Sequence, residues 1–209
     1  MGETVTHEYR VRARQERFRG EVFAVFTDEV AMPGGEHVDR DFVAHIGAVA
    51  VAAVDDAGQV VLVRQYRPAL QRVMWELPAG LIDVSGEELV AAAARELGEE
   101  VDLAAAHWQL LLDLHSSPGY STEVVRIYLA RELSPVPDEH RHQRHHEEAT
   151  LTAHRVPLDE AVAMVLRGEI TNATAVSGVL AAARVRDAGW ISVRPVDAPL
   201  ERTTPADVA

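Results

Sequence analysis

The chain's 209 residues, 47% hydrophobic and 25% charged, suit one globular domain of ordinary size with a small appendage. A formal net charge of -13 and the absence of both cysteine and lysine exclude non-specific nucleic-acid binding, disulfides, thiolate zinc sites, a P-loop lysine and Schiff-base chemistry. No apolar run reaches membrane-spanning length and residues 1–20 are polar and charged, so a cytoplasmic protein without a secretory leader is the expectation.

In chain order, residues 5–28 alternate apolar and charged positions, with Val22, Ala24 and Phe26 at period two, which predicts strand. Met32-Pro33-Gly34-Gly35 is a turn signal, and residues 36–43 return as a strand, so the first forty-odd residues form a small antiparallel sheet. Residues 45–54 are nearly all apolar, as in a buried strand. Asp55-Asp56-Ala57-Gly58 reads as a tight hairpin turn with residues 60–66 as the partner strand. Residues 73–77 lead into a helix that ends near Glu100. Residues 108–114, 124–129 and 150–156 read as further strands, and residues 158–166 and 173–188 as helices after Pro157. The tail from Val193 has prolines at 195, 199 and 205 and little periodicity, so it is expected to be loosely held. Strands around two or three helices give an α+β fold, a mixed-sheet α/β/α sandwich with an N-terminal antiparallel sheet. The expected divisions are 1–44, 45–192 and 193–209.

The stretch from Leu77 to Leu103 carries the chemistry. Its second half sets Arg95, Glu96, Glu99 and Glu100 on a helix-forming background of alanine and leucine. Spacings of three and four place Glu96, Glu99 and Glu100 on one helix face. Clustered carboxylates repel, and a hard divalent cation such as Mg²⁺ or Mn²⁺ relieves that repulsion. A charge run by itself reads equally as a solvated helix face. Ser85 with Glu88 three residues later forms a capping box, and Ala79-Gly80 lets the backbone turn tightly before it.

That order resembles the box of the Nudix hydrolases, G-x5-E-x7-R-E-U-x-E-E-x-G-U with U aliphatic. Glu87, Arg95, Glu96, Leu97, Glu99, Glu100 and Leu103 fall on the pattern. Two positions depart from it: six residues rather than five separate Gly80 from Glu87, and Asp102 stands at the second glycine. The resemblance implies metal ligation by Glu96, Glu99, Glu100 and the Ala79 carbonyl, with Arg95 orienting the glutamates through Glu87.

The N-terminal sheet, together with V-R-Q-Y-R (63–67) and W-E-L-P-A-G (75–80), is similar to the ADP-ribose pyrophosphatase branch, whose members pair as homodimers. The likeness implies Arg67 on the diphosphate, since a planar guanidinium suits phosphate oxygens, and Glu76 near the substrate. Pro118, sixteen residues beyond Asp102, resembles the ADP-ribose-cleaving members, although Ser-Pro-Gly is also an ordinary turn. Phe23 fits an aromatic contact to adenine or a buried place in the sheet. The charged segment 138–148 resembles the loop that carries the general base, which implies Glu148, or else Glu147. Its histidines (140, 142, 145 and 146, with 154 nearby) lack metal-site spacing. The reading is therefore Mg²⁺-dependent hydrolysis of ADP-ribose to AMP and ribose 5-phosphate. Another nucleoside diphosphate conjugate (NADH, a nucleotide sugar, a flavin dinucleotide) or a non-catalytic nucleotide-sensing module are the alternatives.

Overall fold

The computed structural model describes residues 9–144, 150–191 and 194–208. They form two units: residues 9–47, 117–123 and 202–208 in one, and the described parts of 48–116 and 124–201 in the other. Among the described residues, no helix is long and apolar enough to cross a membrane.

The first unit is the expected antiparallel sheet, β1 (Arg10–Arg19), β2 (Phe23–Ala31) and β3 (His37–His45), paired in that order. Its small core gathers Ala24, Phe26, Ala44 and Val208, with Phe42 packed against it. Phe26 and Phe42 stack with ring centroids 5.6 Å apart. The Arg14 guanidinium lies 5.4 Å from the Phe42 ring and pairs with Asp28 at 2.6 and 2.7 Å. Arg14 also donates to the Val208 carbonyl, and Thr122 donates to the Thr203 carbonyl at 2.7 Å. Thr203 and Val208, in the tail expected to be loosely held, are therefore tied to this unit.

The second unit is a helix–sheet–helix sandwich. Strands β4 (Ala48–Ala53), β7 (Ala79–Leu81), β8 (Leu103–His115) and β9 (Val124–Pro135) form a sheet in the order β7-β4-β9-β8. Strands β5 (Gln59–Arg67), β6 (Arg72–Glu76) and β10 (Thr152–Pro157) form a second, in the order β10-β5-β6. Side chains alternate across each strand. Val49, Val51 and Ala53 of β4 therefore pack with Ala92, Ala93 and Leu97 of helix α1 (Leu89–Val101). Ala50 and Ala52 pack with residues of α2 (Leu158–Leu166) and α3 (Ala173–Asp187). Both faces are covered, which is why β4 reads as an unbroken apolar run. A fully buried side chain such as Leu97 contributes about 2 kcal/mol of transfer free energy. Helix α3 comes close to the sheet at Gly178, where a Cβ would stand 2.5 Å from Leu77 Cδ1.

Two expectations change. The turn at Asp55 forms, with its carboxylate accepting from the Ala57 and Gln59 amides, but β4 and β5 are not hairpin partners. A single bridge joins Val54 to Val60, after which β5 enters the other sheet and β4 pairs parallel with β9. Turn chemistry sets the reversal of the chain and leaves the pairing to the core. Ala79-Gly80, expected as a turn, is strand: β7 pairs with β4 at Ala50↔Ala79 and Val49↔Gly80.

Arg126 on β9 is 1% exposed and holds residues 194–199 in place. It pairs with Asp113 on β8 at 2.7 and 3.1 Å and donates to the carbonyls of Ala198 and Pro199. Arg194 closes on the same Asp113 at 2.7 Å. Burial opposes ionisation of Asp113, but the two arginines outweigh it, so its carboxyl lies below the ordinary range. Its contribution is present above the unfolded-state pKa and is lost as pH falls through the lower folded value. Asp113→Ala leaves a buried guanidinium uncompensated, and we expect a loss of about 3–5 kcal/mol. In urea unfolding the midpoint should fall at unchanged slope, with the gap to wild type closing in acid.

Candidate active site

Helix α1 is built as its spacing predicts, but it starts differently. Glu88 occupies the N-cap and no side chain caps the first turn, so the Ser85/Glu88 capping box does not form. Ser85 stands three residues ahead of the cap and Glu88 takes the place expected of the serine. The helix buries Ala92, Ala93, Leu97 and Val101 and, on the same side, Glu96 and Glu100, which are 8% and 6% exposed. Carboxylates are seldom so buried without partners. The Ala79 amide donates to Glu100 at 3.0 Å. Glu96 lies over Gly80, where an added Cβ would stand 2.0 Å from its Cδ; only a residue without a side chain lets the carboxylate reach the backbone of β7.

Arg95 is the counterion of this face. It meets Glu87 at 3.2 Å through both Nε and an Nη, the pairing the motif implies. It also meets Glu96 at 2.7 Å and Glu99 at 3.1 Å, contacts that i,i+4 spacing makes available to Glu99. These carboxylates, Glu87 foremost, outweigh burial and bind the guanidinium proton more tightly. Burial lifts the Glu96 carboxyl above its ordinary value; Arg95 pulls it back, and Glu99 and Asp83 push it up again. A buried carboxylate short of positive charge suits a cation. Among the described residues, no three His, Asp or Glu side chains form a complete metal cage. The buried carboxylates of Glu96 and Glu100 are hard oxygen donors of the kind that divalent cations take.

Other expected residues fall into three groups. Arg67 and Glu76 come together on adjacent strands at 2.9 and 2.6 Å, with Glu76 buried and holding the half-exposed guanidinium. Phe23, partly exposed and 5.7 Å from Phe18, and Pro118, beside a turn closed on the Ser117 carbonyl, belong to the N-terminal unit. Glu147 and Glu148 lie outside the described residues, as do His145 and His146. His154 stands edge-on to Trp75 at 5.0 Å on strand β10.

The helix ends at Val101, beside the expected Glu100, but sequence reasoning missed what holds its last turn. Asp102, at the glycine position of the box, adopts the left-handed conformation (φ +55°), which aspartate tolerates better than most residues. Arg144 donates to the Glu99 carbonyl at 2.8 Å and to the Asp102 carboxylate at 2.6 Å. Nothing local signals this partner, because it comes from 42 positions away.

A sequence profile of the NUDIX domain matches residues 44–176. The chain belongs to the Nudix family. This Nudix hydrolase is 48% identical over 191 residues to the ADP-ribose pyrophosphatase of Mycobacterium tuberculosis (strain ATCC 25618 / H37Rv), covering 91% of this chain and 90% of that one. It is 34% identical over 166 residues to the ADP-ribose pyrophosphatase of Bacillus subtilis (strain 168), covering 79% and 88%. A crystal structure of an ADP compounds hydrolase superposes with a TM-score of 0.74 at 22% identity, covering 88% of this chain and 97% of that one, and shows the same fold. Because the atom crowding a Cβ at Gly80 is the movable end of Glu96, Gly80→Ala should fold and melt close to wild type. The displaced carboxylate should lower hydrolase turnover by about 100-fold.

Proposed function

We propose that this Nudix hydrolase cleaves the diphosphate of ADP-ribose to AMP and ribose 5-phosphate, with Mg²⁺ as cofactor and Mn²⁺ able to replace it. The observation that carries the reading is the pair of buried carboxylates, Glu96 and Glu100, on one face of α1. They lie in a chain whose 48% identical relative is an ADP-ribose pyrophosphatase.

In this reading Glu96, Glu100 and the Ala79 carbonyl hold the metal, and Glu99 assists. A divalent cation held there would supply a more acidic water and offset charge developing on the diphosphate. Arg95, fixed by Glu87, spaces Glu96 and Glu99 and limits their repulsion. Arg67, aimed by the buried Glu76, binds diphosphate oxygens with paired charged hydrogen bonds. Glu148, or Glu147 in its place, takes the proton of the attacking water. The exposed Phe18 and Phe23 rings support pairing of two chains through the N-terminal sheet, with Phe23 available to adenine and Pro118 to the substrate. Light scattering on the full chain should give twice the 22.9 kDa chain mass.

Product analysis in ¹⁸O-water with Mg²⁺, run beside NADH, a nucleotide sugar and a flavin dinucleotide, tests the substrate. ADP-ribose should have the highest kcat/KM and yield AMP and ribose 5-phosphate; preference for another conjugate overturns the assignment. Glu96→Gln and Glu100→Gln should each lower kcat about 100-fold or more while retaining the fold. Near-normal rates in both would remove these residues from the mechanism.

A further inference from the structure

An aspartate that ends a helix is disfavoured twice. It lacks glycine's freedom at positive φ, and its charge meets the negative end of the helix dipole. Asp102 bears both costs at φ +55°, where the family pattern has glycine. Arg144 answers both: it neutralises the carboxylate at 2.6 Å and satisfies an exposed carbonyl of the last turn, that of Glu99, at 2.8 Å. Arginine in that position also suits the dipole. The Val136 amide donates to the Asp102 carbonyl at 2.9 Å, so both ends of segment 136–144 are tied to one residue. Between these ties the segment walls a cavity of about 420 Å³ whose opposite side is Arg95, Gly98 and Glu99 of α1.

We infer that Asp102 and Arg144 form a clamp that positions the last turn of α1, and with it Glu99 and Glu100, against the loop that follows β9. The aspartate is there for its side chain: it exchanges a relaxed helix stop for a fixed distance between the acidic helix and that loop. Arg144 is a positioning residue and acts through Glu99 and Asp102. The inference rests on α1 being the catalytic helix of the proposed hydrolysis.

Asp102→Gly keeps the helix stop and removes the carboxylate; Arg144→Gln removes the charge; the double variant removes both. ADP-ribose kinetics at saturating Mg²⁺ and amide hydrogen exchange of the metal-free protein are measured on all three full-length chains. Each single variant should lower kcat about tenfold with KM within about twofold, and the double should be no worse than the more damaged single, because the two residues are one device. Exchange at residues 99–103 should accelerate alike in all three, while Asp102→Gly melts no lower than wild type. Losses that multiply, a change confined to KM, or exchange at wild-type rates in either single variant would overturn the clamp. If the wild type fails to turn over ADP-ribose, the substrate reading falls and the exchange measurement still decides the clamp.

Discussion

Two carboxylates packed on the apolar side of a helix are the constraint from which the rest of the catalytic unit follows. Glu96 and Glu100 share a face with Leu97 and Val101, a placement that costs several kcal/mol for an isolated charge. The fold supports them with groups that a hydrophobic core does not otherwise need. The Ala79 amide serves Glu100, the missing side chain of Gly80 makes room for Glu96, and Arg95 spans Glu87, Glu96 and Glu99. Strand β7 exists to present the first two. It is three residues long, enough to pair with β4 and set one amide and one glycine beneath the helix.

The support is incomplete. One arginine cannot neutralise Glu87, Glu96 and Glu99 together, and the Glu96 carboxyl remains above its ordinary range. Carboxylates crowded around one arginine are the kind of group that a divalent cation relieves. The same economy shapes Arg67 and Glu76, where the buried glutamate fixes a guanidinium that is half exposed.

Much of this was legible because it is local. The spacing of Arg95, Glu96, Glu99 and Glu100 makes a shared helix face unavoidable, and period two at Val22, Ala24 and Phe26 marks a strand of the N-terminal sheet. What was hidden depends on distant partners. The Asp55–Gly58 turn announces a reversal but not that β5 will leave the sheet of β4, because both strands are apolar on two faces and accept either arrangement. The proline-bearing tail looks unanchored, yet Arg126 on β9 takes its carbonyls, and backbone acceptors leave no mark in a sequence. Asp102 reads as a defect in a motif until Arg144 is brought beside it.

The central claim is that the Glu96–Glu100 face of α1 is a divalent-cation site beside Ala79. Anomalous scattering from crystals soaked in Mn²⁺ tests it most directly. The account predicts a peak bonded to Glu96, Glu100 and the Ala79 carbonyl at about 2.0–2.3 Å. A peak elsewhere, or none, with Arg95 still joined to Glu96 and Glu99, would contradict it.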